Sequence, residues 1–246
     1  MEVHHHPEVE KKGFKEYILE GLMIFLAVTM GFFAETIREG ISDNAKGREY
    51  IRSFVQDLKA DSVAMSRLAI FDKKKISVLN GQDACFDSIS NNPQSASCLV
   101  PLVKIANYNR RLQFSDGTLQ QLKNAGGFRL LKREDRDSIV AYDRAIQALK
   151  DYEATLFQQQ QDNVRNTYNL LGNYKANVEI FPDSGKADVK APILFASDKA
   201  LLNRYFNDLF SYRNAARGQL NQVQRLKIKA AVLIKYFDDK YGLTAE

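Results

Sequence analysis

The sequence has no tryptophan and is poor in the residues that interrupt helices, with five prolines and 13 glycines among 246 residues. A chain with few such residues and much Leu, Ala, Lys, Gln and Arg favours helix over strand. Hydrophobic residues make up 45% of the chain, which is enough to build a core and argues against global disorder. The composition therefore predicts an all-α protein.

Histidine is confined to the N-terminus, at His4, His5 and His6. A hydrolase that depends on a Ser–His or Cys–His pair is therefore excluded from the rest of the chain. Adjacent imidazoles on a tail can chelate a transition metal loosely, but they do not build a rigid site. The sequence also has no phosphate-binding glycine loop, no HExxH pattern and no dinucleotide fingerprint. We therefore predict no enzymatic activity, no cofactor and no metal site.

The charges of the chain are mixed. There are 35 basic and 30 acidic residues, which gives a net charge of +5, and the two signs are interspersed. The longest basic run is Lys73-Lys74-Lys75. Zinc-finger spacing and RNP-type motifs, which would indicate nucleic-acid binding, are absent from the sequence. We predict a solvated surface of mixed charge and no nucleic-acid partner.

One long apolar run occurs near the N-terminus. Residues 17–34 read YILEGLMIFLAVTMGFFA, and their only charge is Glu20. At 1.5 Å per residue a helix of this length covers about 27 Å, just enough to cross the hydrocarbon core of a bilayer. It is apolar on all sides, which argues against the alternative of a core helix. A cleaved signal peptide, the other alternative, fits poorly because a cut after Ala34 places Phe32 at the small-residue position.

Flanking charges indicate the orientation of this predicted transmembrane helix. Three lysines lie within six residues before it, whereas only Arg38 lies as close after it. The positive-inside rule then predicts a cytoplasmic tail at residues 1–16 and an exported, periplasmic domain at residues 35–246.

One face of the predicted span is small or acidic. On a helical wheel Glu20, Ala27, Gly31, Ala34 and Glu35 lie within about 100° of one another. Ala27 and Gly31 form a small-xxx-small pair that lets a second helix approach closely. An acidic residue in a span is costly unless it faces a partner, water or the headgroups. We hypothesise that this stripe packs against another transmembrane helix, from a second copy or another protein; in the alternatives Glu20 is hydrated at the inner interface or relays protons.

Apolar residues at three- and four-residue steps predict long helices after the span. They cover residues 47–79, 133–171 and 197–241, the last capped by Ser197. A short helix at 115–125 ends at Gly126, while residues 81–116 and 172–196 are predicted to be irregular, with a short extended piece at 178–181. The first long helix either follows the span separately or is continuous with it. Three long helices predict an up-and-down antiparallel bundle.

The two cysteines, Cys85 and Cys98, flank a turn signal at Asn91-Asn92-Pro93. In an exported domain they could form a disulfide that closes a short loop and contributes about 3 kcal/mol. In a cytosolic orientation they would be two unrelated thiols. Their wide spacing and the lack of metal-spaced neighbours argue against a zinc site.

The N-terminal residues combine a His-rich start with the pattern E-x-L-M-I-F-L-A-V-T-x-G-F-x-A-E at residues 20–35 and Y-I-x-S-x-x-x-D-L at residues 50–58. In these features the chain resembles a family of uncharacterised single-pass membrane proteins of Bacteroidota. Residues 114–132 are loosely similar to a later pattern of that family, with Ala125 where Ser is usual. The resemblance implies a bacterial inner-membrane protein with an exported helical domain, and it implies no activity.

These features predict a membrane-anchored interaction or scaffold protein of a bacterial inner membrane. It would oligomerise or dock to a larger envelope complex through its transmembrane and juxtamembrane helices, with lipid and another transmembrane helix as partners. The alternative is a sensor, or an ion- or proton-conducting channel-type subunit, that is gated by the helical domain.

Overall fold

The structure, a computed structural model, describes residues 13–183, 185, 188–195 and 198–243. Every regular element in these ranges is helical, apart from one isolated bridge between Gly172 and Leu194. The predicted all-α fold is therefore confirmed. Residues up to Glu49 and residues from Tyr50 onward form two compact units. The predicted histidine tail lies outside the described residues.

The first helix, α1, runs from Phe14 to Leu79. It includes both the apolar segment at 17–34 and the amphipathic segment at 47–79, which are therefore one helix. Gly40 and the polar residues after it do not end the helix, because a single glycine inside a helix costs only about 1 kcal/mol relative to alanine.

The second unit also contains seven further α-helices among its described residues. Their bounds are α2 (Gln82–Asn91), α3 (Leu99–Ala106), α4 (Gly117–Asn124), α5 (Arg133–Gln159), α6 (Asn166–Leu171), α7 (Tyr174–Ile180) and α8 (Lys199–Tyr241). Short 3-10 helices cover Pro93–Cys98 and Gly127–Leu130, and a π-helical turn, Gln160–Arg165, joins α5 to α6. The predicted helix over 133–171 is therefore helical throughout.

Two predictions of irregular structure were wrong. Residues 81–106 are largely helical: α2 buries Gln82, Cys85 and Ile89 at three- and four-residue steps, and Pro101 lies in the first turn of α3, where proline is tolerated. Residues 174–180 form a helix and not an extended piece. Its first turn is capped by the Asn173 side chain, which accepts a hydrogen bond from the Lys175 amide.

Helix caps differ from the predicted ones in detail. The Asp198 carboxylate accepts the amides of Ala200 and Leu201 and so caps α8, whereas Ser197 lies outside the described residues. Asp116 precedes α4 without a side-chain capping bond. Gly126 follows α4 with a φ of 68°, a left-handed conformation that glycine adopts readily.

Residues 50–79 of α1 pack with α5 and α8 in a long-helix bundle. Helix α8 runs antiparallel to α1, because Lys59 pairs with Asp238 at 4.0 Å whereas Asn80 accepts a hydrogen bond from Arg217 at 3.0 Å. It also runs antiparallel to α5, whose first turn contacts the last turn of α8.

The chain returns between α1 and α5 along the bundle, so that these two helices point the same way. Carboxylates of α1 hold the returning backbone: Asp61 accepts the Ser115 amide at 2.8 Å, and Asp57 accepts the Thr118 amide at 3.3 Å. Burial raises the pKa of Asp61 to about 6, although the Ser115 amide opposes that change. These contacts fix the irregular segment 107–116 to the bundle.

The bundle contains two separate apolar clusters. The Phe54 core is built around Phe54, Tyr142 and Phe237, whose rings meet edge to face. The Tyr205 core is built around Leu156 and Tyr205, and α2, α3, α6 and α7 cover it. A layer of polar side chains from α1, α5 and α8 separates the two cores.

Candidate functional site

The apolar segment of α1 is exposed along its length. It is long and apolar enough to cross a membrane, and no residue of its most apolar 18-residue window is buried. Large side chains such as Phe25, Met30 and Phe32 are 65%, 69% and 72% exposed. This exposure contradicts the alternative of a core helix and makes the segment a candidate membrane anchor.

The five residues of the predicted packing stripe, Glu20, Ala27, Gly31, Ala34 and Glu35, all lie on exposed surface of α1. A Cβ added at Gly31 would meet no atom within 4 Å, so the packing of this chain does not require a glycine there. Glu35 accepts a hydrogen bond from Arg38 one turn later, at 2.9 Å. The role of the stripe in helix packing stays a prediction.

Cys85 and Cys98 are joined in a disulfide, with their Cα atoms 5.5 Å apart. The bond links α2 to the end of the 3-10 helix Pro93–Cys98. Cys85 itself is buried in the Tyr205 core. The crosslink therefore fastens the turn at residues 91–93 to that core.

A polar layer separates the two cores, and its members are Asp72, Lys75, Glu153 and Gln219. Asp72 and Lys75 lie on α1, Glu153 on α5 and Gln219 on α8, and each is at most 3% exposed. The residues one or two turns before and after them belong to one core or the other. Charged residues are almost never fully buried unless they are paired, so this layer is unusual among the described residues of the second unit.

Glu153 accepts several hydrogen bonds from neighbouring protein groups. Its two carboxylate oxygens accept the Leu112 amide at 3.1 and 3.2 Å, and one of them also accepts the Gln219 side-chain amide at 3.0 Å. Burial raises the pKa of Glu153, while these hydrogen bonds act in the opposite direction. They replace much of the water that an ionised carboxylate loses on burial.

Lys75 also has partners. Its Nζ donates to the Asn109 side-chain oxygen at 3.1 Å and lies 3.8 Å from the nearer Asp72 oxygen. It stands 5.0 and 5.3 Å from the centroids of the Phe71 and Tyr212 rings, within cation–π range. Burial lowers the pKa of Lys75 to about 8, against the attraction of Asp72 and Glu153.

Asp72 is the exception in the layer. Its side chain is fully buried, and neither of its oxygens accepts a hydrogen bond. Burial raises the pKa of Asp72 to about 7; the Lys75 ammonium opposes this change and Glu153 adds to it. A carboxylate without hydrogen bonds in such a place is costly, whereas the protonated acid is tolerated.

Sequence reasoning missed this layer although a signal was present. The apolar residues of α5 step directly from Leu149 to Leu156, and Glu153 occupies the position between them. In α1, Ile76 is only half-buried, while Asp72 and Lys75 take the buried positions. Polar residues at skipped stripe positions would have identified the layer.

Other chemistry in the described residues is limited. His, Cys, Asp and Glu side chains form no group of three there that could hold a metal ion. A cavity of about 150 Å³ lies between α2 and the start of α8, with mainly apolar walls that include Phe86, Ile89 and Leu202, and with Lys199 at its edge.

No protein-family model matches this chain, and no curated protein or solved structure matches it significantly. The resemblance of the N-terminal run to membrane proteins of Bacteroidota therefore stays a prediction.

Proposed function

We propose that this protein is a membrane-anchored interaction protein of a bacterial inner membrane. The apolar segment of α1 anchors it, and the stripe from Glu20 to Glu35 binds a second transmembrane helix, from another copy or from a larger envelope complex. The observation that carries the proposal is the exposure of the apolar segment, none of whose central window is buried. Water is a poor solvent for such a surface, so lipid or another apolar helix covers it.

The identity of the small residues supports a helix as partner. Lipid tails are as apolar as leucine, so helices associate in a bilayer mainly where small side chains permit close approach. Ala27 and Gly31 provide such a place, and nothing in the described chain lies close enough to Gly31 to require its small size.

Two observations support an exported helical domain. Lys15 and the two lysines before it favour a cytoplasmic N-terminus. The disulfide between Cys85 and Cys98 is of a kind that persists in the periplasm and is rare in the cytosol.

The proposal is tested in membranes with the full-length protein. Crosslinking in native membranes, followed by purification in mild detergent and identification of what co-migrates, should reveal a specific oligomer or complex. Gly31→Leu should abolish it, because the larger side chain separates the helices. Thr29→Leu is the matched control: it enlarges a side chain about 160° away on the same helix and should leave the complex intact.

Two outcomes would contradict the proposal. The first is a full-length chain that stays in the soluble fraction without detergent. The second is a protein that crosslinks only as a monomer, both when purified and in native lysate.

The buried layer favours a second candidate, a sensor or channel-type subunit. Asp72 and Lys75 belong to the same helix as the apolar segment, so a change in their charge acts on an element that enters the membrane. Reconstituted vesicles should then show ion or proton flux that is lost in Glu20→Gln. Vesicles with no flux above that of empty liposomes would exclude the channel form of this candidate.

A further inference from the structure

The polar layer contains more acidic than basic groups. Asp72 faces Lys75 on its own helix, Glu153 from α5 and the Tyr212 ring from α8. The arginines of the return segment lie at the edge of the layer: Arg110 stacks on Phe71 at 4.7 Å, and Arg111 stacks on Phe157 at 4.3 Å. Arg213 of α8, which is 9% exposed, stacks on Phe210 at 5.1 Å. Within the layer itself there are two carboxyl groups and one ammonium.

Hydrogen bonding decides which carboxyl group carries the charge. Glu153 accepts bonds from the Leu112 amide and from Gln219, so its ionised form is well supported. The Arg111 guanidinium at the edge of the layer and the Lys75 ammonium within it both attract Glu153. Asp72 has no donor, so its neutral acid is the form that this environment accepts.

We propose that Asp72 is a proton-binding site that controls how tightly α1 packs against α5 and α8 at the polar layer, between the Phe54 and Tyr205 cores. With its proton bound, the layer holds balanced charges and the helices close on it. When the proton leaves, a second buried carboxylate has no hydrogen-bond donor, and α1 loosens from α5 and α8 at this level. The helices are therefore tightly packed at this layer in mildly acidic solution, and their packing loosens above neutral pH.

The direction of the pH effect follows from linkage. The pKa of Asp72 is about 7 in the folded protein and 3.8 ordinarily, so its contribution to stability is complete below pH 3.8 and is lost as the pH rises through 7. The pKa of Lys75 is about 8 in the folded protein, in place of 10.5. Below about pH 7 this lysine is protonated in both the folded and the unfolded protein, so it adds no pH dependence to the stability there. Asp61 has a pKa of about 6, so it also makes the stability fall as the pH rises, and an Asp72 variant retains this effect.

The test uses the full-length protein in detergent micelles and two readouts. Infrared spectroscopy of the unaltered protein should show the carbonyl band of a protonated carboxylic acid at pH 5, which disappears as the pH rises through neutral. In Asp72→Asn the part of this band that titrates near pH 7 should be absent, while the part that titrates near pH 6, which belongs to Asp61, should remain. Amide hydrogen exchange at residues 69–79, corrected for intrinsic rates, should accelerate from pH 5 to pH 7.5 in the unaltered protein.

Asp72→Asn is the decisive variant because its amide has nearly the shape of the protonated acid. Between pH 5 and pH 7.5 the unaltered protein should lose roughly 5 °C more in Tm than this variant does. Asp151→Asn, at an exposed position two residues before Glu153, is the control and should keep the full slope. Parallel Tm curves for the unaltered protein and Asp72→Asn would overturn the proposal. The infrared measurement keeps the test valid should the variant fail to fold, since a spectrum of the unaltered protein with no carbonyl band that titrates near pH 7 also overturns the proposal.

Discussion

Tyr152 of α5 crosses α8 at Gly218 so closely that a Cβ built on this glycine would lie 2.0 Å from the tyrosine hydroxyl oxygen. The hydroxyl donates to the Ala215 carbonyl, one turn earlier in α8, at 2.9 Å. A glycine in a helix interior normally costs about 1 kcal/mol relative to alanine. At this position the close approach of α5 explains why a glycine is present.

Gly218→Ala should therefore destabilise the protein, although alanine is the better helix former. We expect a loss of about 1–3 kcal/mol in the free energy of unfolding, since Tyr152 must move and its hydrogen bond is lost. Urea denaturation of both proteins measures the change. In a Tyr152→Ala background the same substitution should be neutral or stabilising, and an equal loss in both backgrounds would exclude this explanation.

The sequence predicted the long helices well because their signals are local and repeated. Apolar residues at three- and four-residue steps marked α1, α5 and α8, and the run at 17–34 marked the candidate anchor. The short helices α2, α3 and α7 were not predicted because their amphipathic pattern spans only two or three turns. Around α2 and α3, the turn signal at Asn92-Pro93 favoured irregular structure. The return of the chain between α1 and α5 depends on contacts such as Asp61 with Ser115, 54 residues apart, which no local pattern contains.

The polar layer could not be predicted from the sequence for the same reason. Glu153 gave no signal as a site residue, because a lone glutamate in a helix is usually on a solvated face. Its burial depends on where Leu112 and Gln219 come to lie, and these are 41 and 66 residues away. Burial of this kind follows from tertiary packing and not from the period of one helix.

The disulfide should contribute measurably to stability. Its loop spans a sequence separation of 13 residues, for which chain entropy predicts about 3 kcal/mol. Cys85→Ser/Cys98→Ser should lower the free energy of unfolding by that amount, as should reduction of the unaltered protein. Denaturation with and without reductant measures both, and the double variant should not respond to reductant. Full-length protein purified from membranes without reductant that carries two free thiols would contradict the pairing.

A buried carboxylate fastens the end of α8 to the start of α5. Asp135 accepts hydrogen bonds from the Lys240 ammonium at 2.6 Å, from the Tyr236 hydroxyl at 2.8 Å and from Tyr241. Burial raises the pKa of Asp135, but the bonds from Lys240 and the two tyrosines outweigh that effect and hold the pKa below its ordinary value. Its contribution to stability is therefore present above about pH 4 and is lost as the pH falls through the lowered pKa.

Asp135→Asn should cost about 2 kcal/mol at pH 7, because charge-assisted hydrogen bonds become neutral ones. The difference from the unaltered protein should shrink as both are taken to strongly acidic pH. Urea denaturation at a series of pH values measures it. Asp137→Asn, whose side chain is 60% exposed, is the control and should change stability by less than about 0.5 kcal/mol. A cost for Asp135→Asn that stays constant down to pH 2 would contradict the assignment.

The attraction between Lys75 and Glu153 in the polar layer can be measured by a double-mutant cycle at pH 6. Lys75→Met leaves the buried Glu153 with only Arg111 as an attracting cation, and Glu153→Gln leaves the buried Lys75 with only the Asp72 carboxyl group, 3.8 Å away. Each single change should therefore cost up to about 3–5 kcal/mol. The double variant removes both charges together and should cost less than the sum by about 1–3 kcal/mol. Costs that simply add would mean that the two groups do not interact. In that case the balance of charges that leaves Asp72 as the proton-bearing group would also be wrong.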